Sequence, residues 1–202
     1  RAKFISPNDV EITKVRGEPE RFHAKTIVIA SGSIPRMPDN IPVDHENIFD
    51  SDSILTMLYL PRSLTVLGGG VIASEYASIF QALGVKVTMI DRYPLPLGFM
   101  DADLTSTFVE SFREMGGTWL GEKNVTKVEW DGLSQVVTHC EDGTVIKSAK
   151  LLCAAGRMAN VQDLHLEHAG LKVNEMGNIS VDDLLQTSVP HIYAAGDMIG
   201  PP

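Results

Sequence analysis

A short β-branched run ends in three consecutive glycines and passes at once into an amphipathic stretch: Thr65-Val66-Leu67-Gly68-Gly69-Gly70-Val71-Ile72-Ala73-Ser74-Glu75. Few folds accommodate that order. Residues 64–67 predict a short strand. Ile72, Tyr76, Ile79, Phe80 and Leu83 share one helical face, which predicts a core-facing helix over about 71–83. Gly84 stands where a C-terminal cap belongs, and residues 85–90 predict the next strand. Strand, helix and strand fit the roughly 30 residues of a parallel βαβ unit. The expected fold class is therefore α/β, with a Rossmann-like dinucleotide-binding domain at its centre.

The glycines match G-x-G-x-x-G/A, with Gly68, Gly70 and Ala73 in the three positions. Gly68 lets the chain turn sharply out of the strand. Gly70 keeps no side chain between a pyrophosphate and the backbone, and Ala73 is small enough for the helix to pack on the sheet. The phosphates would meet free N–H groups of the first turn, Val71 and Ile72 among them, at the positive end of the helix dipole. Asp91 ends the second strand, 21 residues past Gly70, where a carboxylate accepts both ribose hydroxyls of an adenosine. That carboxylate repels a 2′-phosphate and favours NAD, while the adjacent Arg92 is able to pair with one. The expectation is NAD preference with some tolerance of NADP.

Around this unit, residues 3–6 and 10–15 predict strands joined by the turn Pro7-Asn8-Asp9. Residues 26–30 predict a buried strand running into Ser31-Gly32-Ser33. Pro35, Pro38 and Pro42 mark a linker, taken as residues 37–49. Residues 50–58 predict a short helix capped by Asp50 or Ser51. A second helix is expected over 101–115, stopped by Gly116-Gly117. Residues 125–140 predict a hairpin turning at Asp131-Gly132, a pair favoured in type I′ turns. Asp142-Gly143 announces a third antiparallel strand near Val145. Residues 150–155 predict a buried strand. Trp119 and Trp130 are expected to pack this hairpin sheet.

A net charge of −9, from 26 acidic and 17 basic residues, argues against a basic face for nucleic acid or an anionic membrane. No apolar run reaches the length of a membrane span. Cys140 and Cys153 lack C-x-x-C spacing, Cys153 lies in an apolar run, and a reducing cytoplasm is the expected setting. His165 and His168, without a third ligand in the sequence nearby, read as a solvated helical face, and no metal is expected. His191, beside Pro190, is expected to be structural. Ser74 lacks the strand-turn setting of a nucleophile elbow.

Four motifs resemble, in order, those of the FAD-dependent pyridine nucleotide-disulfide oxidoreductases, the flavoprotein family that includes lipoamide dehydrogenase and glutathione reductase. They are IASGSIP at 29–35, LGGGVIASE at 67–75, AAGRMAN at 154–160 and TSVPHIYAAGD at 187–197. The resemblance implies that Ala30, Ser31 and Gly32 lie beside a flavin. It implies that Asp197 bonds the ribityl or pyrophosphate part of FAD, with Gly196 allowing close approach. It places Glu75 near the nicotinamide carboxamide, Ala155 and Gly156 along the nicotinamide cofactor, and Arg157 at the boundary with FAD. Read without the resemblance, Asp197 is equally a helix cap and Glu75 a dipole-stabilising carboxylate. Two departures stand out: Val71 occupies the position of the tyrosine that covers the flavin in glutathione reductase, and AAGRMAN lacks the proline usual after G-R-x.

The resemblance implies the following organisation: residues 1–36 belong to a split FAD-binding domain, 50–157 form the NAD(P)-binding domain with a three-stranded antiparallel crossover, and 158–202 return to the FAD-binding domain. It implies a piece of a longer homodimeric enzyme, with cofactors FAD, NAD and NADP, that transfers hydride between nicotinamide and flavin. No side chain here is then expected to act as acid or base, the protein supplying orientation and electrostatics. Exchange of hydride between NADPH and NAD is the first expectation. A disulfide reductase such as dihydrolipoamide dehydrogenase is the second, and a non-catalytic NAD-binding module the third.

Overall fold

The computed structural model describes residues 1–200 in two units, one of Arg1–Ile34 with the segment from Arg157 onward, the other of Pro35–Gly156. In the first, β1 (Ala2–Phe4) and β2 (Asp9–Ile12) form a hairpin. Asp9 fixes its turn by accepting the Ser6 hydroxyl at 2.5 Å. A third strand, β3 (Glu20–His23), pairs antiparallel with β2 although all four of its side chains are exposed. Next come β4 (Ile27–Ile29) and β5 (Ser33–Pro35). The segment expected to be buried throughout is not: Val28 is 63% exposed, because strand alternation turns it away from the face that buries Ile29.

The second unit is organised by an all-parallel sheet. Its strands are β6 (Ile48–Asp50), β7 (Ser63–Leu67), β8 (Lys86–Ile90), β9 (Thr118–Leu120) and, after an insertion, the strand Lys150–Cys153. Helix α1 (Val71–Ala82) connects β7 to β8, and α2 (Ala102–Glu114) connects β8 to β9. The insertion is a three-stranded antiparallel sheet of β10 (Val125–Trp130), β11 (Val136–Cys140) and β12 (Val145–Ser148). With Lys150–Cys153 as β13, the parallel sheet runs β6-β13-β7-β8-β9. This is the α/β architecture that the sequence predicts. Phe49, Leu64, Val66, Ala73, Ala77, Met89, Phe112 and Leu152 make one core; Ile41, Ile48, Val128, Val136 and Leu151 make another.

Four expectations need correction. The face of α1 that meets the sheet carries Ala73, Ser74, Ala77, Phe80 and Gln81, whereas Ile79 and Leu83 are more than half exposed. Small residues let the helix axis approach the strands, and that contact outweighs the larger apolar stripe. Residues 37–49 are not a free linker, since Ile41 and Ile48 are buried and β6 pairs with β13. Residues 50–58 hold a 3₁₀ turn, Ile54–Thr56, rather than a helix. Asp50 shapes the turn before it by accepting N–H bonds from Asp52 and Ser53 at 3.0 and 2.7 Å. Burial pushes the Asp50 carboxyl up, but the Ser53 and Asp52 bonds outweigh it and leave the pKa below the usual range. Finally, β10 and β11 are joined through residues 131–135, not a two-residue turn. Asp131 Oδ1 gathers the N–H groups of Leu133, Ser134 and Gln135.

Back in the first unit, β14 (Arg157–Ala159) pairs with β5, and β15 (Ile192–Ala194) pairs in parallel with β4. Phe4, Ile29, Ala159, Leu166, Leu171, Ile179, Ile192 and Met198 form its core. Residues 165–168 are not one helical face. Two 3₁₀ turns, Gln162–Leu164 and Leu166–Ala169, are separated by His165 at φ 52°. The exposed His165 and His168 rings stack at 5.4 Å; His168 Nδ1 meets the Phe4 carbonyl and His165 Nδ1 meets Glu167. His191 Nε2 lies 2.9 Å from the Pro7 carbonyl. Cys140 and Cys153 are both buried and free. No helix among the described residues is long and apolar enough to cross a membrane.

Candidate functional site

In Pro35–Gly156 the carboxyl ends of three adjacent strands, β13, β7 and β8, bring the motif residues together. Gly68 leaves β7 at φ +123°, and a Cβ there would stand 2.4 Å from the Ala154 carbonyl oxygen. Gly68 is therefore required by the crossing of its own backbone with the end of β13. Gly70 behaves differently. It is the N-cap of α1 at φ −80°, and a Cβ there would meet nothing within 4 Å. No side chain caps α1 and no acid sits in its first turn. The N–H groups of Val71, Ile72 and Ala73 lack intrahelical acceptors by helix geometry. The result is an open space before the electropositive end of a helix, which fits a diphosphate.

Asp91 faces the same glycine turn. Its Oδ2 would lie 3.2 Å from a Cβ on Gly69, and its Oδ1 accepts the Tyr93 N–H at 3.0 Å. Arg92 lies over the Tyr93 ring, 4.9 Å from its centroid, and donates to the Tyr93 hydroxyl at 3.1 Å. Ala154 and Ala155 follow β13 and lie against Gly68, with Gly156 next in the chain. Cys153 ends β13, and burial pushes its thiol pKa up, away from the thiolate form that reacts. Val71 and Glu75 are exposed on α1.

Sequence reasoning passed over Gly69, which occupies a free position of the motif. A Cβ there would lie 3.1 Å from the Trp119 ring and 3.3 Å from Pro96. Trp119 is on β9, in the parallel sheet rather than the hairpin sheet, and its Nε1 donates to the Pro94 carbonyl at 2.9 Å. Leu97, at φ 53°, donates its N–H to the Gly69 carbonyl at 2.6 Å. Residues 93–97 are thus strapped against the glycine turn. Only a glycine at the middle position of the triplet hinted at it.

The other unit gathers a second set of residues. Ser31 Oγ donates to the Asn160 carbonyl at 2.6 Å, and Asn160 Nδ2 donates back to the Ser31 carbonyl at 3.2 Å. Gly32 accepts the Asn160 N–H, and Ala30 is exposed at the end of β4. Asp197 opens the 3₁₀ turn Asp197–Ile199, but its side chain is not a cap. Its Oδ2 instead accepts the Ser33 hydroxyl at 2.7 Å. Gly196 precedes it at φ +86°, a conformation that favours glycine, and a Cβ would meet nothing within 4 Å. An exposed carboxylate beside open backbone fits a ligand that offers hydroxyl donors, as the ribityl chain of FAD does.

A parallel sheet with an uncapped glycine turn and an acid at the end of the next strand is the arrangement of a dinucleotide-binding domain. The sequence pattern of the pyridine nucleotide-disulphide oxidoreductases matches residues 1–202, and the chain belongs to that family of FAD- and NAD(P)-dependent enzymes. It is 41% identical over 200 residues to the soluble pyridine nucleotide transhydrogenase of Pseudomonas putida, covering 98% of this chain and 43% of that protein. Against the protein of the same name from Colwellia psychrerythraea, identity is 39% over 202 residues, covering 100% and 43%. Among solved structures, the HOCl-induced flavoprotein disulfide reductase RclA from Escherichia coli superposes with a TM-score of 0.91 at 30% identity, covering 100% of this chain and 45% of that one. LpdA from Mycobacterium tuberculosis gives 0.91 at 27% identity, covering 100% and 44%. The chain therefore spans less than half the length of each.

Proposed function

We propose that the protein carrying this sequence moves hydride from NADPH to NAD⁺ by way of FAD, giving NADP⁺ and NADH. The reading is carried by the meeting of the open α1 N-terminus at Gly70 with the Asp91 carboxylate at the carboxyl edge of the sheet. Pro35–Gly156 would hold the nicotinamide dinucleotide and the other unit part of FAD. FAD, when bound, supplies the two-electron relay between the dinucleotides.

The residues of this chain bind and orient. Gly70, Val71, Ile72 and Ala73 offer backbone N–H groups to the diphosphate, and Asp91 accepts the ribose hydroxyls. Glu75, Ala155 and Gly156 flank the nicotinamide end. Ala30, Ser31, Gly32, Arg157, Gly196 and Asp197 line the flavin side. Val71, where glutathione reductase has tyrosine, leaves the nicotinamide path without an aromatic cover. We place the intact enzyme in the cytoplasm as a homodimer. The test is an assay of the full-length protein with NADPH and a chromogenic NAD⁺ analogue, set beside a disulfide substrate. Transhydrogenation by a yellow protein is expected. Turnover of the disulfide alone means a disulfide reductase, which the likeness to RclA favours, and a colourless protein means a binding module.

Asp91 also sets the preference between the dinucleotides. Its carboxylate is held beside Gly69, whereas Arg92 is turned onto Tyr93. NADH should bind tighter than NADPH. Asp91→Asn should weaken NADH and strengthen NADPH, each by about tenfold, because an amide neither accepts two hydroxyls as well nor repels a phosphate. Fluorescence titration of both reduced cofactors checks this, and a wild-type preference for NADPH would remove Asp91 from its role.

A further inference from the structure

Ser33 has no assigned part in the flavin side, yet three of its contacts are dictated by chemistry. Arg157 Nε lies 2.7 Å from Ser33 Oγ, and Arg157 Nη2 donates to the Ser33 carbonyl at 2.7 Å. Ser33 Oγ lies 2.7 Å from Asp197 Oδ2. A guanidinium has only donors and a carboxylate only acceptors, so the hydroxyl has no freedom. Its lone pair takes the Arg157 N–H and its single proton goes to Asp197.

We propose that Ser33 is a positioning residue for the flavin site, one that orients the Asp197 carboxylate by holding Oδ2 and turning Oδ1 to a hydroxyl of the bound cofactor. The proposal rests on the FAD reading above. The backbone of the turn is set by the buried Met198 and by the Ile199 N–H bond to the Gly196 carbonyl, but neither orients the exposed Asp197 side chain. The constraint comes from elsewhere in the chain: Ser33 is 164 residues from Asp197 in sequence and 124 from Arg157. Threonine retains the hydroxyl and alanine does not, so the two substitutions separate hydrogen bonding from bulk.

The experiment compares wild type, Ser33→Ala and Ser33→Thr in the full-length protein. It measures FAD affinity by the fluorescence of released flavin, and apoprotein thermal unfolding alongside. Ser33→Ala should weaken FAD about tenfold and Ser33→Thr by no more than about twofold, the loss being that of one charge-assisted hydrogen bond. Apoprotein unfolding should be unchanged in both. A double cycle with Asp197→Asn should be non-additive, because the two side chains act as one unit. Wild-type affinity in Ser33→Ala, equal loss in both variants, or additivity in the cycle overturns the role of Ser33. A wild-type protein that holds no FAD overturns the flavin reading instead.

Discussion

Replacing Gly70 by valine should leave Pro35–Gly156 folded and reduce its affinity for NADH by on the order of 100-fold, about 2.7 kcal/mol. The backbone at Gly70 has φ −80°, which any residue adopts, and a Cβ there enters open space. An N-cap change from glycine to an aliphatic residue costs less than about 2 kcal/mol. The same space is where a diphosphate would approach the N–H groups of α1, so the valine methyls exclude the ligand and not the fold. Gly68→Ala should do the reverse. Its φ of +123° is strained for alanine, and its Cβ would press to 2.4 Å on the Ala154 carbonyl oxygen, a backbone atom that yields only if the chain itself shifts. That combination costs upward of ~3 kcal/mol, enough to lower the melting temperature by on the order of 10 °C. Thermal denaturation and NADH titration on the same two variants decide the matter. Unchanged NADH binding by Gly70→Val would refute the anion site at α1, and a fully stable Gly68→Ala would refute the packing account of the turn.

These two glycines also show how far the sequence could be read. The βαβ order was legible because glycine placement, helix length and β-branched strands agree on one local structure. Distinguishing a glycine that serves the fold from one that serves a ligand was not, because it depends on whether Ala154 or empty space lies opposite. The buried face of α1 escaped for a related reason. A count of large apolar residues selects Ile79 and Leu83, but the sheet selects Ala73 and Ala77, whose smallness matters only once a partner surface exists. Strand β3 shows no buried apolar face, its one large apolar side chain, Phe22, being exposed; it is held by backbone pairing and by Arg21–Glu11 and His23–Asp9 across the strands. Gly69, Trp119 and Ser33 take their places by tertiary contact alone. Asp91 was legible because its distance from the motif is fixed by one helix and one strand.

The second large effect concerns Asp197. Asp197→Ala in the full-length protein should weaken FAD by on the order of 100-fold, since a hydrogen bond to a charged group contributes about 1.5–3 kcal/mol. Asp197→Asn, with one acceptor oxygen left, should lose about tenfold on the same scale. Neither change should unfold the apoprotein. The carboxylate is exposed and caps no helix, and Met198, which anchors this turn in the core, is untouched. Asp197→Ala also leaves the Ser33 hydroxyl to Arg157 alone, a geometry that a water molecule completes at an exposed position. The loss should therefore appear in flavin retention and not in thermal stability. Stoichiometric FAD on purified Asp197→Ala would mean that the conspicuous acid of the Gly196-Asp197 pair is not the cofactor's ligand, and that the relay from Arg157 through Ser33 serves the fold of this turn.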